Sequence, residues 1–368
     1  MGSGCSLQAE FAGRSDRILL PELWRWPVLW PDTDSLQAKS SGRSNLEMNT
    51  GRDEHSAVRP GAVWSSRIER ALLSRGPLAV GFAVLGAGSL ALVLLFWYSH
   101  GAWPGDTFTY ELAGQRLNTG GQIYDLRPTD FWYASGPPLY GPPLVAVIWR
   151  PLAALPGLLG VAIWLVAMAL ATLWAVALTL LEAPLLGGLA TILLSLSLGL
   201  LIGVGNVDGL VLLAMIGVWR LRDRPGLAGL LLGLIVTLKL TPALLVVWLA
   251  STRRWRALAF VVLTCTGLTI IASTMSNDPG IVLRYLAVMR DGLASGFPWA
   301  RYVVIVAAGV VLLASRRWPS LGFSIAVIAI PFASPVTALH TFAVMLAGLA
   351  PLMGRHPKRS VSSANEDA

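Results

Sequence analysis

The sequence predicts an all-α protein that crosses a membrane many times. Three observations carry this. Apolar residues make up 55% of the 368 and charged residues only 13%, where a soluble domain carries about 25% charged residues. The apolar residues fall in long runs, the first from Pro77 to Tyr98, and about 20 such residues suffice to cross a bilayer as a helix. Arginines stand between the runs in short clusters, RLRDR (220–224), RRWR (253–256), RRW (316–318) and RHPKR (355–359). That is the pattern of loops held on the cytoplasmic side. The formal charge of +8 is therefore a statement about topology, and it argues against a nucleic-acid partner.

Taken in order, residues 1–66 are polar and lack any sustained period, which predicts a disordered cytoplasmic tail. They show no early apolar core and no small-residue cleavage site of a signal peptide. Met48 offers a later start, which would leave 1–47 outside the protein. Arg67, Arg70 and Arg75 precede the first run and place the N-terminus inside. A helix over 77–98 then runs outward, followed by a long external segment over 99–156. Helices over 157–180 and 184–202, a short external turn GVGNVDG (203–209) and a helix over 209–220 come next.

The run from Gly226 to Ala250 lies between two basic clusters. A single crossing would put one cluster outside. Two short helices meeting at KLTP (239–242) keep both inside, and Pro242 favours such a break because it lacks an amide donor and clashes with the preceding turn. Further helices are expected over 256–274, 300–315, 320–333 and 337–353, with an external amphipathic stretch PGIVLRYLAVMRDGL (279–293). The whole is about ten spans within 67–354, both ends inside, and a cytoplasmic tail over 355–368. The segment FWYASGPPLYGPPLVAVIWRPLAALP (131–156) is too rich in proline for a crossing helix. It reads as an interfacial element with Trp and Tyr at headgroup depth.

This topology gathers polar residues at one membrane face: Asp106, Asn206, Asp208, Lys239, Thr241, Arg284, Arg290 and His340. Either they line one site, or each is an ordinary interfacial polar residue. Asp208, Arg284 and Arg290 suit both readings equally. Lys239 favours the first, because a lysine deep in an apolar stretch is costly and is a functional candidate by default. It has no acidic neighbour in its own run, so a lipid phosphate would suit it as partner. A lone interfacial histidine such as His340 is more often structural. Asp106, in a Gly- and Tyr-rich loop just past the first helix, suggests chemistry on a lipid-linked substrate. Cys5 and Cys265 lie in unlike surroundings, so neither a disulfide nor a metal site is expected.

The order of motifs resembles the bacterial polyprenol-phosphate-mannose-dependent α-1,2-mannosyltransferases, which have the type C glycosyltransferase fold. The matching elements are Asp106, GGQIYD (120–125), YGPP (140–143) with PLAALP (151–156), GVGN (203–206), AGLLLGLIVTLKLTP (228–242) with RRWR (253–256), and SPVTALH (334–340). The sequence departs from the family pattern at Val204, Ala338 and Thr341, where Gln, Trp and His are usual.

The resemblance implies a plasma-membrane enzyme with its site facing outside. It would move mannose or arabinofuranose, with inversion, from a polyprenyl-phosphate donor to a glycolipid or polysaccharide acceptor. It would need neither cofactor nor metal. Asp106 would be the general base, with His340 assisting. Lys239 and Arg284 would hold the donor phosphate, and Tyr124, Tyr140 and Asn206 would line the substrate. A transporter or flippase of lipid or sugar, and an inactive relative of the enzymes, remain open alternatives at this stage.

Overall fold

Proline starts the helices of this chain. In the computed structural model, which describes residues 76–100, 105–124, 139, 141–276, 278–295, 300–334 and 338–353, Pro77, Pro143, Pro184, Pro225 and Pro319 each open a helix. There no intrahelical acceptor awaits the missing N–H, and the ring already sets a helical φ. The expected tails over 1–66 and 355–368, and Tyr140, lie outside the described residues.

The helices are α1 Pro77–Ser99, α2 Gly105–Asn118, α3 Pro143–Ala153, α4 Leu159–Glu182, α5 Pro184–Val204, α6 Asp208–Arg220, α7 Pro225–Leu238, α8 Leu244–Ser251, α9 Trp255–Met275, α10 Ile281–Ser295, α11 Ala300–Arg317 and α12 Pro319–Ala329. Short 3-10 turns cover Thr241–Ala243 and Pro331–Ala333, and a longer 3-10 helix covers Leu339–Leu352. No strand occurs among the described residues. Four helices, α1, α4, α5 and α9, are long and apolar enough to cross a membrane. Helices α3, α7, α12, the stretch Thr241–Ser251 and the 3-10 helix are apolar but shorter.

Two expectations need correction. The segment over 99–156, expected as an external loop, carries two helices among its described residues, and Asp106 sits in the first turn of α2 rather than in a loop. The second, α3, buries Trp149 fully inside the protein. Its ring lies 5.3 Å from that of Trp164, in an apolar cluster with Tyr110, Tyr124 and Tyr285. A second cluster, around Trp219, Trp248 and Phe323, fills the other part of the bundle, with ring centroids 5.0–5.8 Å apart.

The break at KLTP is present. Helix α7 ends at Leu238, Lys239 is extended, and α8 begins at Leu244. The pair turns back on itself: the Arg254 guanidinium donates to the Arg222 carbonyl and lies 3.5 Å from the Asp223 carboxylate. Trp248 Nε1 also donates to the Pro319 carbonyl at 2.9 Å. Three of the basic loops thus meet at one end of the bundle. Elsewhere, α1 and α5 approach closely through Gly86 and Gly188, where a Cβ on Gly86 would stand 2.9 Å from the Gly188 carbonyl oxygen. Small residues are how helices come together in lipid, where no hydrophobic force presses them.

Candidate active site at the helix ends

The site is built from places where helices stop and start. Helix α5 ends at Gly205, whose φ of +65° is left-handed, the usual glycine finish of a helix. Trp164 Nε1 donates to the Gly205 carbonyl at 2.7 Å. The Thr107 hydroxyl donates to the Val204 carbonyl at 3.0 Å, which ties the start of α2 to the end of α5. The Asn206 side-chain oxygen accepts the Asp208 N–H at 2.8 Å, a local turn that short polar side chains favour. Helix α6 follows.

Two carboxylates result. Asp106 and Asp208 stand in the first turns of α2 and α6, where unpaired N–H groups and the helix dipole favour negative charge. Asn206 Nδ2 donates to Asp106 Oδ2 at 2.7 Å, so one amide side chain ties the Asp106 carboxylate to the Asp208 main chain. Lys239, just past α7, donates from Nζ to Asp208 Oδ2 at 2.6 Å. His340, at the start of the last helix, has Nε2 3.6 Å from Asp106 Oδ2. That is within reach for an ion pair but long for a hydrogen bond. Both contacts to Asp106 fall on Oδ2; among the described residues none falls on Oδ1.

Exposure separates the two acids. The Asp208 side chain is 1% exposed, a buried charge answered by lysine. The Asp106 side chain is 34% exposed and can meet a substrate. Tyr110, buried on α2, feels both charges. Burial, and then the charges of Asp106 and Asp208, raise its phenol well above the usual range. It is therefore a neutral hydroxyl. The buried Thr241 hydroxyl, two residues past Lys239, has no hydrogen-bond partner among the described residues. Also among the described residues, no group of three or more His, Cys, Asp or Glu is placed to hold a metal ion.

Of the residues singled out from the sequence, Asp106, Asn206, Lys239 and His340 come together, with Asp208. Lys239 differs from its expected surroundings: its partner is the Asp208 carboxylate, 31 residues away in the chain. The side-chain bonds of Tyr124 and Arg284 go elsewhere. The buried Tyr124 hydroxyl donates to the Gly141 carbonyl at 3.0 Å, its ring lies 6.1 Å from Tyr285, and burial raises its phenol as well. It holds the entry to α3. Arg284 pairs with Asp278 at 3.0 Å. Thr341, in place of a second histidine, bonds back to the Ala338 carbonyl at 2.6 Å. Tyr110 and Trp164 were not foreseen. Tyr110 has a signal in the sequence, a helical spacing of Thr107, Tyr110, Gly114 and Leu117, all buried on α2.

The model of glycosyltransferase family 87 matches residues 139–301. These include Asn206, Asp208 and Lys239 but neither Asp106 nor His340. No curated protein and no solved structure matches the chain. The family match, in an all-helical chain with four helices able to cross a membrane, supports a membrane glycosyltransferase.

Proposed function

We propose that this protein moves a sugar, mannose or arabinofuranose, from a polyprenyl-phosphate donor to a hydroxyl of a glycolipid or polysaccharide acceptor. The reaction takes place at the outer face of the plasma membrane and inverts the anomeric carbon. One observation carries the reading: Asp106 is held through one carboxylate oxygen by Asn206 while the other has no partner among the described residues, in a side chain that solvent reaches. A general base needs that combination, fixed orientation with a free oxygen within reach of the proton it takes.

In the proposed step Asp106 Oδ1 removes the acceptor hydroxyl proton. The acceptor oxygen forms its bond to the anomeric carbon as the bond to the phosphate oxygen breaks, and that oxygen leaves with the electron pair. Lys239 would supply the donor that a departing phosphate needs, and charge developing there is best met by groups already in place. Asp208 keeps Lys239 extended toward the site. His340, whose Nε2 lies 3.6 Å from Asp106 Oδ2, would assist it. Arg284 on α10, engaged with Asp278, has the weaker claim on the phosphate.

The test uses purified protein in vesicles with radiolabelled polyprenyl-phosphate mannose, or the arabinofuranose donor, and cell-envelope glycolipids. Asp106→Asn should lower transfer by about 10²–10⁴ while donor binding and thermal stability stay near those of the parent. Turnover within a few-fold of the parent would overturn the assignment.

A further inference from the structure

We propose that the end of the bundle opposite Asp106 holds a second site, one that binds a phosphate-bearing anion such as an anionic lipid headgroup. Helix α6 links the two ends: it starts at Asp208 and finishes at Arg220, about 18 Å further along at 1.5 Å per residue. At that far end lies a cavity of about 430 Å³, lined by residues of all four arms that converge there. Trp219, Arg220 and Arg222 come from the end of α6, Trp248 and Arg254 from the end of α8 and the loop after it. Pro319 opens α12, and Pro351 and Met353 close the last helix.

The three arginines are arranged rather than merely near. The Arg222 guanidinium lies 4.5 Å from the Trp219 ring centroid and that of Arg254 lies 5.7 Å from Trp248. Stacking on an indole orients the fork of donors that suits phosphate. Arg222 Nη1 donates to the Trp219 carbonyl at 3.0 Å and Arg254 to the Arg222 carbonyl. Arg220 pairs with Glu182. Asp223 is the second carboxylate in reach, 3.7 Å from Arg222 and 3.5 Å from Arg254, but its side chain is 73% exposed and turned to water. Among the described residues, the three guanidiniums thus face two carboxylates, one of them largely solvated. Each guanidinium carries five N–H donors, and the bonds named use few of them.

Two parallel uses of arginine explain less. Loop anchoring needs only positive charge anywhere in the loop, not convergence on one cavity. A purely structural role accounts for the bonds to carbonyls and acids, but not for three arginines lining one cavity. A phosphate supplies the missing negative charge and several acceptor oxygens together, and Arg binds it in two-pronged fashion. Basic pockets between membrane helices take up lipid headgroups on these terms.

The test measures retention of phosphatidylglycerol and of phosphatidylcholine by the full-length protein in detergent, by native mass spectrometry. The parent should hold phosphatidylglycerol in preference. Arg222→Gln with Arg254→Gln should weaken that by about ten- to thirty-fold, whereas Arg316→Gln with Arg317→Gln, both exposed on α11, should change it little. Equal loss in both pairs, or none in the first, overturns the site. Inorganic phosphate that displaces the lipid at millimolar concentration identifies the anion alone as sufficient ligand; failure to displace it assigns the site to the lipid. A phosphatidylglycerol with a photoreactive headgroup gives a reading on the unmutated protein. Its crosslinks should fall on peptides containing Trp219, Trp248 or Met353, and crosslinks confined elsewhere overturn the proposal.

Discussion

A buried carboxylate dictates what its neighbours can be. Asp208, 1% exposed, has Lys239 for its charge and a first helical turn for its dipole. Removing one partner of a buried pair leaves an uncompensated charge, which costs more than removing both. Lys239→Met should therefore lower stability by about 3 kcal/mol, the lower end of the usual range because Lys239 itself is partly exposed. Asp208→Asn combined with Lys239→Met should recover most of that, read as the thermal unfolding midpoint in detergent. The double variant also isolates the role in donor binding. If Lys239 holds the donor phosphate, the restored fold still uses donor poorly. Parental donor use by a restored fold would make the lysine purely structural. The pairing was not legible in the sequence, where Lys239 stands in an apolar run without an acid. Only the return of α7 to the start of α6 brings the two together.

At the scale of elements, the long apolar helices were readable within a few residues, because about 20 apolar residues, a leading proline and a following turn leave few options. The break at KLTP was readable too, since Pro242 and the two flanking basic loops demand the same answer. Helix α2 was not, although its buried spacing is helical. It is short, polar on its outer side, and bounded by Gly and Pro, which read as loop. Its position depends on the α5–α6 turn, where Gly205 is both left-handed and crowded. A Cβ there would run into the Thr107 hydroxyl and the Leu165 side chain. Gly205→Ala should therefore push α2 away and carry Asp106 with it, beyond the roughly 1–2 kcal/mol of backbone strain. We expect a lower unfolding midpoint and loss of transfer. Adding Thr107→Ala, which removes the nearest clash, should recover part of the stability. No recovery would show that backbone strain or Leu165 dominates, and parental activity in Gly205→Ala would show that the turn does not position Asp106.

For the molecule as a whole, the arginine pattern and the packing specify one polarity. The loops around Arg222, Arg254 and Pro319 touch one another at one end. The far end is marked by α9, which leaves Arg254 and ends at Met275, about 31 Å away along its axis. There the Arg150 guanidinium donates to the Met275 carbonyl and, at 3.2 Å, to Asn118. Positive charge stays cytoplasmic, so the end bearing Asn118 and the Asp106 cluster should face outside. Single cysteines report this directly in a protein whose Cys5 and Cys265 are replaced by alanine. In sealed right-side-out vesicles, a membrane-impermeant maleimide should label Thr119→Cys, next to Asn118 and exposed. Asp223→Cys, at a side chain 73% exposed, should react only after the vesicles are opened. Labelling of Asp223→Cys alone would invert the protein and put Asp106 inside, with any donor then supplied from the cytoplasm. Labelling of both in sealed vesicles would place the two ends on one side and overturn this polarity.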